Sequence, residues 1–221
     1  MSSGYRLPGM PGAVAVALPD GVFAAYAPIG APRTPEGPAG DTGRGLPRWR
    51  VTERVAARRL LTALVGAVAP AGTGHLSVGS RAGGQPYLPG RPDLEVSLAH
   101  SGAVVAAAVH TRGGAVGVDV QEPYPVGDAL VRRCCPQDAA TLLRHDRPTR
   151  DTTVAQVWTV QESCAKATGH GLGLRPWRIP VGADQEHGCW RHLRWRTLPP
   201  TGGTPWSCAW EPIDDRKGAT P

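Results

Sequence analysis

The chain has 221 residues, 41% hydrophobic and 19% charged, with 29 glycines and 23 prolines. That supports one sizeable core, or two small ones sharing an interface, and it excludes a disordered chain in favour of a loop-rich globular one. The net charge of +6 suits an acidic protein or an anionic cofactor, but the arginines form no basic block, so nucleic-acid binding is not expected.

AVAVAL-PDG-VFAAYA (Ala13 to Ala27) reads as two short strands around a Pro-Asp-Gly turn. Residues 28–47 are rich in Pro and Gly and read as a long loop. TERVAARRLLTALVGAVA (52–69) predicts a helix. Its apolar stripe is 55, 60, 61, 64, 65 and 68, its N-cap is Thr52, and Arg54, Arg58 and Arg59 lie off the stripe. Within residues 95–120 a short strand, a strand near 104–110, a TRGG turn and a strand over 115–120 are expected. In the last of these Val116, Val118 and Val120 point one way and Gly117, Asp119 and Gln121 the other. An Asp inside so apolar a strand needs a hydrogen bond, a cation or a metal. ALVRRCCPQDAATLLRH (129–145) reads as helical on either side of Pro136. VWTVQESCAKATGHGL (157–172) reads as a helix ended by Gly169, and RHLRWRTL and TPWSCAWE as antiparallel strands before a loose tail.

Five cysteines, at 134, 135, 164, 189 and 208, include no C-x-x-C pair, so neither a disulfide framework nor a zinc site is expected and a reducing cytoplasm is. The proline-broken N-terminus makes a poor signal peptide, and the longest apolar run, AVVAAAV, is far too short to span a bilayer. No membrane association is expected.

Only two lysines occur against 22 arginines, which makes Lys166, inside the 157–172 stretch, informative. Helix stability alone accounts for its neighbours: Thr159 and Glu162 have capping-box spacing, and Glu162 and Lys166 are four apart in the favourable order for an ion pair. Asp119 has an equally plain reading as a strand-end acid that accepts from a backbone amide, and His100 as a turn histidine.

Taken in order, GQPYLPGRPDLEVSLAHSG, VGVDVQEP and VWTVQESCAKATGHGL resemble the 4′-phosphopantetheinyl transferases of the surfactin-synthetase-activating type. That family shows a G-K-P-x-L/I segment, an S-x-S-H-S segment and a G-[IV]-D-[IVL]-E strand. About forty residues later comes a W-[ST]-x-K-E-[AS]-x-x-K-x-x-G-x-G-L helix. Here Asp119 and Glu162 are 43 positions apart, and the resemblance covers residues 52–174. It implies an α+β fold: a pseudo-dimer of two similar halves, each a small antiparallel sheet packed with a long helix. The halves would be residues 1–113 and 114–212, followed by a disordered tail, 213–221.

The resemblance implies transfer of the phosphopantetheine arm of coenzyme A to a serine of an acyl or peptidyl carrier protein, with Mg²⁺ (Mn²⁺ as a substitute) and release of adenosine 3′,5′-bisphosphate. A monomeric cytoplasmic enzyme of natural-product biosynthesis is the corresponding expectation. Asp119 and Glu162 would hold the metal, with Gln121 binding a coordinating water. Lys166 would reach the phosphates as a point charge, and Glu162 would help deprotonate the serine. His100 and Gln85 would contact phosphate, and Arg58 would meet the 3′-phosphate. Carrier docking is expected beside 129–143, on Arg132 and Arg133 with an apolar patch of Leu130, Val131 and Cys134. The chain departs from the family pattern at Gln85, Ala99, Gln121, Ala139 (or Asp138) and Gln161. Arg48, Arg50 or Arg91 would have to supply the missing charge. The alternative reading is a repurposed relative that has lost the transfer and catalyses another step, or only binds a carrier protein or coenzyme A.

Overall fold

The structure is a computed structural model that describes residues 4–29, 48–69, 76–81, 83–169 and 171–213. The expected loop falls on residues 30–47 and most of the expected tail on 214–221, both outside the described residues.

The N-terminal Val/Ala alternation builds β1 (Gly4–Arg6), β2 (Val14–Leu18) and β3 (Val22–Pro28). The β2–β3 turn is tight because Asp20 and Gly21 both take positive φ, 64° and 77°. β6 (Glu95–Ser101) and β7 (Val104–His110) complete an antiparallel sheet of order β1-β2-β3-β7-β6. A two-stranded ribbon, β4 (Gly79–Ser80) with β5 (Pro86–Tyr87), lies beside it. The helix α1 (Arg48–Val68) covers one face of the sheet. Ala57, Leu60, Leu61, Leu64 and Val65 bury there against Leu88, Val96, Val105, Ala107 and Val109. Each large aliphatic side chain so buried contributes about 1.5–3 kcal/mol.

The C-terminal half repeats the recipe with other elements. β8 (Val116–Val120), β9 (His187–Trp190), β10 (Leu193–Thr201) and β11 (Thr204–Trp210) form an antiparallel sheet of order β8-β11-β10-β9. α2 (Asp128–Cys134), α3 (Ala139–Leu142) and α4 (Arg147–Ala167) lie against it. Val131, Val157, Val160, Cys164, Leu193 and Trp195 form that core.

The free faces of the two sheets meet. Val16, Val22, Ala24, Tyr26, Ala106 and Ala108 pack against Val116, Val118, Val120, Trp206, Cys208 and Trp210. The layers therefore run helix, sheet, sheet, helix, and β7 is buried on both faces, which is why VVAAAVH shows no polar alternation. Polar ties cross the seam: Trp210 Nε1 donates to Asp20 (2.9 Å), Val118 N to Ser97 Oγ (3.1 Å), and His110 Nε2 to the Glu211 carbonyl (3.0 Å). The fold is α+β, as the resemblance implies.

Two helix starts differ from the sequence reading. α1 begins at Arg48, so Thr52 is not its N-cap, and Val55 is 43% exposed while Glu53 occupies the buried stripe. α4 begins ten residues before Val157. Its N-cap is Asp146, whose side chain accepts from Thr149 N (2.9 Å), with Pro148 in the first turn. Thr159 therefore sits mid-helix, and the capping box does not exist. Gly169 does end the helix, at φ 73°. No described helix is long and apolar enough to cross a membrane.

Candidate active site

The candidate site forms where α4 lies closest to the sheet. A Cβ on Gly117 would collide with the Ser163 carbonyl oxygen and the Ala167 amide, so glycine lets α4 rest directly on β8. Two residues along, Ser207 of β11 pairs with Asp119 and shares a 2.7 Å hydrogen bond with Thr159 of α4. Helix and strand are thus fixed just where Asp119 turns toward α4.

Lys166 comes from that helix to meet it. Its Nζ donates to Asp119 Oδ1 (2.7 Å), Val118 O (3.0 Å) and Leu98 O (3.4 Å), which occupies all three ammonium donors. The ion pair is with Asp119; among the described residues Lys166 makes none with Glu162, contrary to the i,i+4 expectation. Glu162, one turn earlier, is 9% exposed, and its Oε1 is buried with no hydrogen-bond partner. Burial, then the Asp119 charge, push its carboxyl up to about 7 against the pull of Lys166. Asp119 is also raised, by burial, with Lys166 and the backbone amide of Val120 opposing.

His100 closes the site at the end of β6. Its Nδ1 lies 3.1 Å from Oε2 of Glu53. Burial lowers its pKa, Glu53 opposes, and the charges of Lys166, Arg54 and Arg50 lower it further. The following turn is held from β8's end. Glu122 Oε1 accepts from Ala103 N (2.9 Å), Glu122 N donates to Ser101 Oγ (3.0 Å), and a Cβ on Gly102 (φ 55°) would run into the Glu122 carboxylate.

The structure therefore brings together Asp119, Glu162, Lys166 and His100. The other expected residues are dispersed. Gln121 Nε2 donates to the Glu122 carbonyl (2.9 Å), and its side chain lines a narrow cleft with Tyr124, Leu130, Val154 and Trp158. Gln85 lies at the C-terminal end of α4, its Oε1 beside Gly169. Arg58 lines a separate groove with Met10, Val55, Arg59, Thr62 and Leu76. Gln161 is fully buried and its Nε2 holds Cys134 O (2.8 Å) and Ile179 O (3.1 Å). It is a clamp in the C-terminal core, not a neutral substitute in a phosphate pocket. Ala99 and Ala139 are core residues, and Asp138 accepts from Ala183 N (2.9 Å).

Of the proposed compensating cations, Arg91 is committed to Asp93 by two bonds (3.0 and 2.8 Å) and to Ala69 O (3.1 Å), and the Arg48 side chain lies outside the described residues. Arg50 acts on His100. Sequence reasoning missed Glu53, Arg54, Glu122 and Arg81. The last donates to Gln85 Oε1 (3.5 Å) and Glu95 (3.3 Å). Glu53 carried a signal: it is the lone acid of α1, spaced with Ala57, Leu60 and Leu64 on the apolar face.

Among the described residues no group of three or more His, Cys, Asp or Glu side chains is arranged for a metal. The Asp119–Glu162 pair still fits a hard divalent cation. Burial raises both carboxyls, and the Asp119 charge raises Glu162 further, so positive charge between them would be favoured. A cation there would take these two ligands and complete its shell with ligand oxygens and water, the habit of Mg²⁺.

The sequence model of the 4′-phosphopantetheinyl transferase superfamily matches residues 115–213. A 4′-phosphopantetheinyl transferase of Bacillus subtilis is 29% identical over 106 residues, 48% of this chain and 45% of the relative. The 4′-phosphopantetheinyl transferase Sfp of Bacillus subtilis strain 168 is 27% identical over 92 residues, 41% of this chain and 40% of Sfp. The chain thus spans less than half the length of the curated relatives it matches.

Proposed function

We propose that this chain, which belongs to the 4′-phosphopantetheinyl transferase superfamily through residues 115–213, transfers 4′-phosphopantetheine from coenzyme A to a serine of an acyl or peptidyl carrier protein. The observation that carries this reading is the constellation itself: two buried carboxylates from β8 and α4, the lysine bonded to one of them, and His100 at the rim.

In the reaction the serine Oγ attacks the phosphorus next to pantetheine, and the bond from that phosphorus to the bridging oxygen breaks. Adenosine 3′,5′-bisphosphate leaves with the electron pair, and the serine proton goes to Glu162. Its unpartnered Oε1 is the acceptor we assign. Asp119 and Glu162 would hold Mg²⁺, which supplies positive charge against the pyrophosphate oxygens. Lys166 holds Asp119 in place and keeps the local charge near neutral. His100 would donate a ring N–H to phosphate, with the charges of Arg54 and Arg50 close to it. Arg81, beside Gln85, is the cation we assign in place of a lysine at 85.

The carrier would dock on an open groove of about 780 Å³ lined by Arg132, Arg133, Arg178, Trp177, Pro136 and Pro180. Its lining contains no acid, which suits an acidic partner. The apolar component differs from the sequence expectation: Val131 and Cys134 are core, 0% and 1% exposed. Trp177, with Arg133 5.6 Å from its ring centroid, Pro136 and Pro180 take their place.

One observation favours the repurposed reading. All three Lys166 donors are engaged by protein acceptors, so a phosphate must displace one of them. Intact-mass spectrometry separates the two. Apo carrier proteins of both classes are incubated with the chain, coenzyme A and Mg²⁺. Gain of one phosphopantetheine, absent with Glu162→Ala, supports transfer. No gain on any carrier from folded protein supports binding without transfer.

A further inference from the structure

α1 carries five arginines and one acid, and that acid is on the wrong face. Arg48, Arg50, Arg54, Arg58 and Arg59 are the basic residues. Glu53 is four residues before Ala57 and eleven before Leu64, on the stripe that packs the sheet, and it is 4% exposed. A carboxylate is costly at such a position unless something compensates it, and any small apolar residue would pack there without that cost. What faces it is His100. Nδ1 lies 3.1 Å from Oε2 but outside hydrogen-bond geometry, so Oε2 is buried without a completed hydrogen bond.

The surroundings show what the pair is built into. His100 stands two residues after Leu98, whose carbonyl accepts from Lys166, and Lys166 in turn holds Asp119. Glu122 fixes the turn that follows the histidine. The backbone of His100 is therefore set by β6 and Glu122, and the remaining freedom is rotation of its ring, which Glu53 alone of these groups faces at Nδ1. With 39% of the His100 side chain exposed, the ring's other edge has access to solvent.

We infer that Glu53 is a positioning residue: its carboxylate accepts from Nδ1 of His100, fixes the ring, and so presents Nε2 to the diphosphate of a bound ligand. The ligand half of this inference rests on the coenzyme A reading above. A carboxylate on one imidazole nitrogen is an established way to orient the other and to favour the form with both nitrogens protonated. Lys166, Arg54 and Arg50 work against that form, and Glu53 works for it, with the Asp119 carboxylate on the same side. A diphosphate bound at Nε2 would complete the arrangement from the opposite side.

Nitrogen-15 NMR of the histidine side chains, with His100 assigned through His100→Asn, reads the contact without any ligand. In the wild type Nδ1 of His100 should be protonated, and in Glu53→Gln its resonance should move. An unchanged Nδ1 resonance overturns the inference even if transfer is active. Calorimetry with coenzyme A then reads the ligand half. Glu53→Gln and His100→Asn should each weaken binding about fivefold or more, with the double variant no weaker than His100→Asn alone. Additive losses overturn the positioning role. A wild type that binds no coenzyme A overturns the functional reading together with the ligand half, and the Nδ1 result still decides the contact. Should Glu53→Gln fail to fold, Glu53→Asp, which keeps the charge and shortens the reach, serves in the same comparisons.

Discussion

Two 21-residue helices, α1 and α4, cover the two sheets, and they treat buried polar groups differently. Among the described residues α1 buries one, Glu53. α4 buries Arg150, Asp151, Thr159, Gln161, Glu162 and Ser163. Most of these have structural duties. Arg150 reaches the Val126 carbonyl and Asp151 accepts from the Val126 amide, which pins the segment before α2. Thr159 bonds Ser207 and Gln161 bridges two carbonyls. Among the described residues three buried side-chain oxygens lack a partner: Gln161 Oε1, whose own amide nitrogen is doubly bonded, Glu53 Oε2 and Glu162 Oε1. Both carboxylates belong to the same site, one from each helix. Gln161 belongs to the core, so it is the carboxylates with an unsatisfied oxygen that mark the site.

Glu162 tests that distinction most sharply. If its burial serves catalysis, Glu162→Gln should lower transfer by about 10²–10⁴-fold, the usual worth of a positioned base. It should not lower the melting temperature, because the amide removes a desolvated charge. Transfer assays and thermal unfolding on the same preparation read both. A variant that loses stability as well as activity would place Glu162 with the structural group. Lys166→Met should behave oppositely, leaving Asp119 buried without its cation and costing roughly 3 kcal/mol or more. Urea unfolding reads it, and Asp119→Asn in the same background should recover part of the loss.

Much of this was legible in the sequence. The strand alternation put Gly117 and Asp119 on one face, and the family resemblance paired Asp119 with Glu162. The fold class followed from ordered motifs together with a strand–helix–strand reading. What failed was local. Thr52 looks like a cap because it precedes an apolar-periodic run, and Thr159 because it stands three residues before an acid, but both helices run further upstream than their apolar patterns show. For α4 the true signal was Asp146-Arg-Pro, an acid before a first-turn proline. Gln161 was misread because family position suggested a phosphate contact, whereas its side chain points into the C-terminal core. Glu53 was readable as an acid on an apolar stripe. The pairing of Lys166 with Asp119 rather than Glu162 was not readable, since i,i+4 spacing says nothing of a strand arriving from elsewhere.

The pH dependence of stability refines the comparison. Glu162 has its carboxyl at about 7 in the folded chain against an ordinary value of 4.5. The native state therefore binds more protons than the unfolded chain between those values, and the Glu162 contribution to stability falls as pH rises through that window. Wild type should lose roughly 3 kcal/mol relative to Glu162→Gln from pH 4.5 to 7, and the difference should level off above it. Parallel stability profiles in the two proteins would assign the raised carboxyl to another group.

The smallest expected effect lies in the groove, where neither helix contributes a catalytic group. Arg132, Arg133 and Arg178 line it, and Gln161 ties its two walls together through Cys134 and Ile179. If an acidic carrier docks there, Arg178→Glu should raise the KM for carrier about three- to tenfold while leaving the KM for coenzyme A unchanged, as rim charges act mainly on association. The effect should shrink at high salt, since exposed charges are screened beyond about 8–10 Å. A carrier KM that ignores Arg178→Glu and Arg132→Glu would move the docking surface elsewhere. The apolar cleft beside Gln121 and Tyr124 would then be the next place to probe, because it opens from the end of the strand that carries Asp119.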